Sequence, residues 1–181
     1  MVGIHGGIRL MINDFAGSLL WSESKAHEPF WDAVYRKAFP NLTFHHISSG
    51  DTQSQRMGID RIIHLSNGRT LQVDEKKRSK DYGDILLEYM SMDTTKAPGW
   101  IEKDLSIDYL AYAFIPSKKC YLFPWPMLRK AWVINKAQWL RDYKTVVAPN
   151  RTYNTLSVPV PIPVLWAAVS WSALVDVSGT F

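Results

Sequence analysis

Asp60, Asp74 and Lys76 are the residues of this chain whose types and spacing suit chemistry. Two carboxylates brought together attract a hard divalent cation such as Mg²⁺, which keeps several waters, and an amine beside them can position one of those waters. The segment QRMGIDRIIHLSNGRTLQVDEKKR, from Gln55 to Arg78, supplies the means of bringing them together. It reads as a β-hairpin: an apolar run (Ile59, Ile62, Ile63, Leu65), a turn at Asn67-Gly68, and a second run (Leu71, Val73) that ends in Asp74-Glu75-Lys76. An antiparallel hairpin returns the end of its second strand to the start of its first, so Asp60 comes to lie beside Asp74. Because side chains alternate along a strand, Asp74 and Lys76 share one face while Glu75 points to the other. Glu75 is therefore expected to offer its backbone carbonyl as a third metal ligand. This is the equipment of metal-assisted phosphodiester hydrolysis.

Further candidates surround this hairpin. Asp84 and Glu88 would share one face of a following strand, from which either could reach the metal. The bases Lys76, Lys77, Arg78 and Lys80 would grip phosphates next to the cleavage point, since backbone contacts supply most sequence-independent affinity for nucleic acid. His45 and His46 are adjacent on a strand and face opposite ways, and His64 lies inside the hairpin, so a zinc site is not expected. Among eight tryptophans, Trp100 follows Pro98-Gly99 in a long connection and is expected to be exposed, where it could stack on an unpaired base. Asp108 opens a later strand and could cap the connection before it.

The elements that must position these groups follow from periodicity and turn signals. Residues 1–12 have no clear period and read as an arm; Asn13 to Phe39 reads as helical, with Glu28-Pro29 as the first turn of its second part and Pro40-Asn41 as its stop. Leu42 to Ile47 is a strand, SSGDTQSQ a loop, and the hairpin follows. After a loop over Ser79 to Gly83, Asp84 to Met90 resumes strand character, although ILLEYM suits a helix equally, in which Asp84 and Glu88 would be surface charges; residues 91–103 read as an exposed connection. Asp108 to Phe114 and Lys119 to Phe123 are two more strands. Pro126 starts a helix with an apolar stripe at Leu128, Trp132, Ala137 and Leu140, and TLSVPVPIPV reads as an edge strand leading to a short last helix. The expected class is α/β, with a central mixed β-sheet flanked by helices, in a single domain over residues 1–181.

Composition sets bounds around this. The chain has 181 residues with 46% apolar and 13% aromatic content, enough for a substantial core. A net charge of +4 suits a polyanionic partner without requiring one. The lone cysteine, Cys120, leaves neither an internal disulfide nor a cysteine zinc site and reads as a buried thiol, which favours a cytoplasmic setting. No secretory signal is read at the N-terminus, and prolines 159, 161 and 163 make the apolar tail a poor membrane span.

The pattern of Asp60, thirteen intervening residues and then Asp74-Glu75-Lys76 resembles the catalytic signature of the PD-(D/E)XK nuclease superfamily, the restriction-endonuclease-like fold that includes resolvases and phage exonucleases. Gly58-Ile59 stands where the signature's name has a proline, at a position that varies widely in the superfamily. The resemblance implies a Mg²⁺-dependent nuclease, with Mn²⁺ able to substitute, acting on DNA rather than RNA, of a stand-alone phage or mobile-element type. It also implies roles: Asp60, Asp74 and the Glu75 carbonyl as metal ligands, Lys76 assisting the attacking water, and a glutamate from the first helix as a further ligand or orienting group. Glu28 matches that last position best, with Glu23 as its competitor. Cutting both strands of a duplex would be easiest for a homodimer, with the apolar C-terminal segment as its interface. Two other classes stay open: a non-catalytic nucleic-acid-binding module of the same fold, and a small accessory protein with a Trp-rich surface for a protein partner.

Overall fold

Among the described residues Glu28–Ala38 forms the first helix, α1, with Pro29 in its first turn, Glu28 at its positive end and Arg36 and Lys37 at its negative end. The computed structural model describes residues 27–48, 57–169 and 173–180. The expected arm over residues 1–12, the first half of the long helix with Glu23, and most of the loop after Ile47 lie outside them.

Phe30, Trp31, Val34 and Tyr35 recur at helical spacing and are all buried, which fixes the face that α1 turns to the sheet. Each such side chain contributes roughly 1.5–3 kcal/mol of transfer free energy, so this face alone anchors the helix. That sheet has six strands: β1 (Leu42–Ile47), β2 (Arg61–Leu65), β3 (Thr70–Arg78), β6 (Tyr109–Phe114), β7 (Lys119–Pro124) and β10 (Ala173–Asp176), in that spatial order. All neighbours are antiparallel except β3 and β6. A parallel pair needs a long crossover, and residues 79–108 provide it by leaving to build a second sheet.

The second sheet has four antiparallel strands in the order β5-β4-β9-β8: β4 (Asp84–Met92), β5 (Ala97–Pro98), β8 (Val146–Pro149) and β9 (Asn154–Pro161). Two helices accompany it, α2 (Trp125–Asp142) and α3 (Ile162–Ala168). The class is therefore α/β, as expected, but the strands divide between two sheets rather than forming one central sheet.

Alternation along the six-stranded sheet sorts its residues into two cores. Ile63, Leu71, Val73, Ala111 and Leu122 pack under α1. Leu110, Tyr112, Phe114 and Phe123 point the other way, onto Ile85, Leu87, Val158 and Val160 of the second sheet and Trp132 of α2. Cys120 is buried in the α1 core, as its apolar surroundings predict.

Three expectations are corrected here. Residues 91–103 hold the end of β4, β5 and a 3₁₀ turn over Trp100–Glu102, and Trp100 and Ile101 are buried rather than exposed, so Trp100 is no stacking platform. The reason is Gly99: a Cβ there would lie 2.2 Å from the Glu88 carbonyl oxygen, so only glycine lets the chain cross β4 this closely and turn Trp100 inward. β9 is not an edge strand, since it pairs with both β4 and β8. Its prolines 159 and 161 fall beyond the stretch paired with β8, where a missing N–H breaks no ladder. In α2 the buried stripe runs through Leu128, Ala131, Trp132 and Trp139, and Ala137 is exposed. Among the described residues no helix is long and apolar enough to cross a membrane.

Candidate metal centre

The hairpin forms where its sequence places it. Leu65 N–H donates to the Arg69 carbonyl at 2.9 Å and Gly68 N–H to the Leu65 carbonyl at 3.0 Å, a three-residue turn in which Gly68 takes φ 81°. That left-handed position is the one the Asn-Gly pair predicts for glycine. At the open end, Asp60 sits just before β2 and is pinned by backbone bonds on both sides: its N–H donates to the Val73 carbonyl and its carbonyl accepts from Ser48 N–H, both at 2.9 Å. Asp108 caps the start of β6 by accepting the Gln72 N–H at 2.7 Å, while its own N–H returns to the Gln72 carbonyl at 2.8 Å. β3 is thus held on both flanks next to Asp74.

Asp60, Asp74 and Lys76 converge on the face that looks toward the second sheet. Asp60 Oδ2 accepts the Glu75 N–H at 2.8 Å, and the Lys76 ammonium is ion-paired with Asp74 Oδ1. Val73 and Glu75 turn their backbone groups to the same side of β3, so the Glu75 carbonyl also faces the Asp60 side. Asp74 is 1% exposed, and its Oδ2 is buried and receives no hydrogen bond. Burial pushes the Asp74 carboxyl up to about 7; the neighbouring Asp60 charge, within hydrogen-bonding reach, pushes the same way, and Lys76 opposes both. Burial works to lower the Lys76 ammonium, but Asp74, Asp60 and Glu88 outweigh it and raise it. Glu88, on β4, is held above the usual carboxylate range by burial, against the pull of Lys76 and Lys103. Glu88 thus lies within electrostatic reach of Lys76, from a strand of the second sheet.

The other face of the same strand ends carries a different cluster. Arg61, 1% exposed, donates from Nη1 and Nη2 to the Glu28 carboxylate at 3.0 and 2.8 Å and from Nε to Glu75 Oε1 at 2.5 Å. Tyr35 O–H donates to the same Glu75 oxygen at 2.9 Å. His45 Nδ1 lies 3.1 Å from Arg61 Nη1 and its Nε2 lies 3.1 Å from Asp32 Oδ1. Since a guanidinium only donates, Nδ1 accepts and Nε2 carries the proton. Burial lowers the pKa of this ring, with the Asp32 hydrogen bond opposing. The Arg61 hydrogen bonds hold the Glu28 carboxyl below its ordinary value.

Glu28, expected at the metal, is instead committed to Arg61 on the α1 side of the sheet, because the face that α1 buries is set by Phe30, Trp31 and Val34. The Glu75 side chain is committed there too, which leaves its carbonyl as the group that can serve the site. Arg78 points to the second-sheet face but is tied to Asp84 Oδ1 at 2.9 Å, with Tyr112 O–H accepting a weaker bond at 3.4 Å, so it joins β3 to β4 rather than standing ready for phosphate. Lys77 lies on the α1 side with Glu75 and Glu28, and Lys80 is exposed in the loop after β3. His46 and His64 share a face with Phe44 in a group of near-parallel rings, apart from His45. The sequence reading missed Arg61. Its signal was a charge two residues before Ile63, in the register that an alternating strand turns inward.

Among the described residues no group of three His, Cys, Asp or Glu side chains is arranged to hold a metal. The donor set at the open end of the hairpin is two carboxylates and a carbonyl. It fits a hard, water-retaining cation: the Asp74 oxygen without a donor and the mutual repulsion of two neighbouring carboxylates are both relieved by a divalent ion. No protein-family model matches the chain and no curated protein is significantly similar to it, so the geometry of this centre carries the functional reading.

Proposed function

We propose that this chain is a metal-dependent nuclease of the PD-(D/E)XK type, with a restriction-endonuclease-like fold, hydrolysing phosphodiester bonds in DNA. One observation carries the reading: Asp60, Asp74 and Lys76 meet at the open end of the β2–β3 hairpin, on one face, beside a carbonyl at Glu75. The position of α1 ahead of that hairpin agrees with the resemblance.

Asp60, Asp74 and the Glu75 carbonyl would hold Mg²⁺ or Mn²⁺, which supplies positive charge for the scissile phosphate and acidifies a bound water. Lys76 holds its ammonium against Asp74, charged at neutral pH, where it orients the attacking water and stabilises the charge that develops on the phosphoryl oxygens. Glu88 adds a weaker electrostatic pull on that ammonium from the second sheet. The Glu75 N–H fixes Asp60 Oδ2, leaving the other carboxylate oxygen for the ion. A symmetric pair of chains, meeting through the apolar C-terminal region where Val164 and Trp166 are partly exposed, would cut both strands of a duplex.

The second reading, a non-catalytic nucleic-acid-binding module, is favoured by one feature: the Asp74–Lys76 ion pair already neutralises half of the carboxylate pair. Incubation with plasmid, branched and single-stranded DNA plus Mg²⁺ or Mn²⁺ separates the two. Cleavage that disappears in Asp74→Ala and Lys76→Ala is the expected result. Cleavage that survives both substitutions removes this site from the reaction, and DNA binding without cleavage by the unaltered protein establishes the module.

A further inference from the structure

The β2–β3 ladder ends before the metal centre begins. Its paired residues run from His64 opposite Thr70 to Arg61 opposite Val73, so Glu75 lies past the last pair. Beyond that point two contacts join β3 to the start of β2. One is the Glu75 N–H on Asp60 Oδ2, at the centre itself. The other is the Arg61 side chain on Glu75, on the opposite face.

Burying a guanidinium is costly unless its donors are used, and here they are. Arg61 reaches Glu75 through Nε and closes a two-point fork on Glu28 of α1, with His45 and Tyr35 completing the surround. A forked guanidinium restrains direction as well as distance, which a single ammonium does not. Arg61 directly follows Asp60, and Glu75 directly follows Asp74. Because successive side chains alternate, gripping Arg61 and Glu75 behind the sheet fixes the backbone from which Asp60 and Asp74 project in front of it.

We propose that the Glu28–Arg61–Glu75 triad is a positioning element for the metal centre, setting the separation of the Asp60 and Asp74 carboxylates and the direction of the Glu75 carbonyl through the backbone. This rests on the nuclease reading above. Arg61 touches neither metal nor DNA in this role, since it is enclosed between α1 and the sheet.

The test is Mn²⁺ affinity, read by electron paramagnetic resonance of the free ion, together with kcat and KM on DNA. The variants are Arg61→Lys, Glu28→Gln and the paired Arg61→Met/Glu75→Leu, which removes both partners and so leaves no bare charge at Glu75. Each is measured well below its own melting temperature. The expected result is Mn²⁺ binding weakened about 10–100-fold in the paired variant, with Arg61→Lys in between, KM for DNA nearly unchanged, and much of the lost rate restored by saturating Mn²⁺. Variants that are less stable but bind Mn²⁺ as the unaltered protein does overturn the proposal and leave the triad a structural tie. An unaltered protein that takes up no more Mn²⁺ than Asp74→Asn overturns the nuclease reading, and the triad's role falls with it.

Discussion

At the open end of the hairpin each face of the sheet sets a pair of carboxylates around a central cation, and the two pairs reach opposite states. Behind the sheet, Glu28 and Glu75 share Arg61, whose fork and short bonds satisfy both. In front, Asp60 and Asp74 share Lys76, which bonds one oxygen of Asp74 and leaves the other with no donor. The difference is the cation. A planar guanidinium with five donors can saturate two carboxylates, whereas an ammonium acts as a point charge and leaves acceptor capacity over. Saturation makes the rear cluster a fixture, and the shortfall leaves an acceptor open in the front cluster, where the proposed ion would sit.

The largest effect separating the faces should come from Asp74→Asn, which is expected to lower kcat for DNA cleavage by at least about 10³-fold while leaving the fold intact by circular dichroism. Retained activity would erase the distinction between the faces. On the rear face the corresponding loss is in stability. Arg61→Met alone leaves Glu75 buried without its cation and should cost about 3–5 kcal/mol in urea unfolding.

Proton linkage sharpens the contrast further. The Asp74 carboxyl is raised from its ordinary 3.8 to about 7, by burial first and the Asp60 charge second, so the folded protein holds that proton more tightly than the unfolded chain. Its contribution to metal-free stability is present below pH 4 and is lost as pH rises toward 7. Asp74→Asn should remove that slope from a plot of unfolding free energy against pH. A cation must displace the same proton, so Mn²⁺ affinity should fall by up to about tenfold per pH unit below 7 and level off above it, as titration at several pH values would show. The smallest effect is expected from Glu28→Gln, which keeps the shape and trims one charge from a partly exposed partner. About 1 kcal/mol in thermal unfolding is the anticipated cost.

Much of the front face was legible in the chain. The Asn-Gly turn and strict alternation place Asp60, Asp74 and Lys76 together without any knowledge of packing, because hairpin register is a local property. The rear face was not legible, since the direction of Glu28 depends on how α1 docks, and that is decided by Trp31 and Val34 against strands distant in sequence. The second sheet was hidden for a similar reason. Its strand β9 carries prolines that imitate an edge, and the short β5 and 3₁₀ turn have no period to read. Gly99 was the one local clue that residues 91–103 pass close to another strand.

The parallel pairing of β3 with β6 also governs the order in which the centre can be built. The hairpin is assembled from near neighbours and can form early, but β4, the strand that brings Glu88 to Lys76, finds its main partner β9 only about seventy residues later in the chain. A chain that ends at α2 lacks β8 and β9, so β4 has no main partner in it and the second sheet is unbuilt. The enclosure of the acidic pair is thereby tied to the completion of the second sheet, a long-range step in the chain.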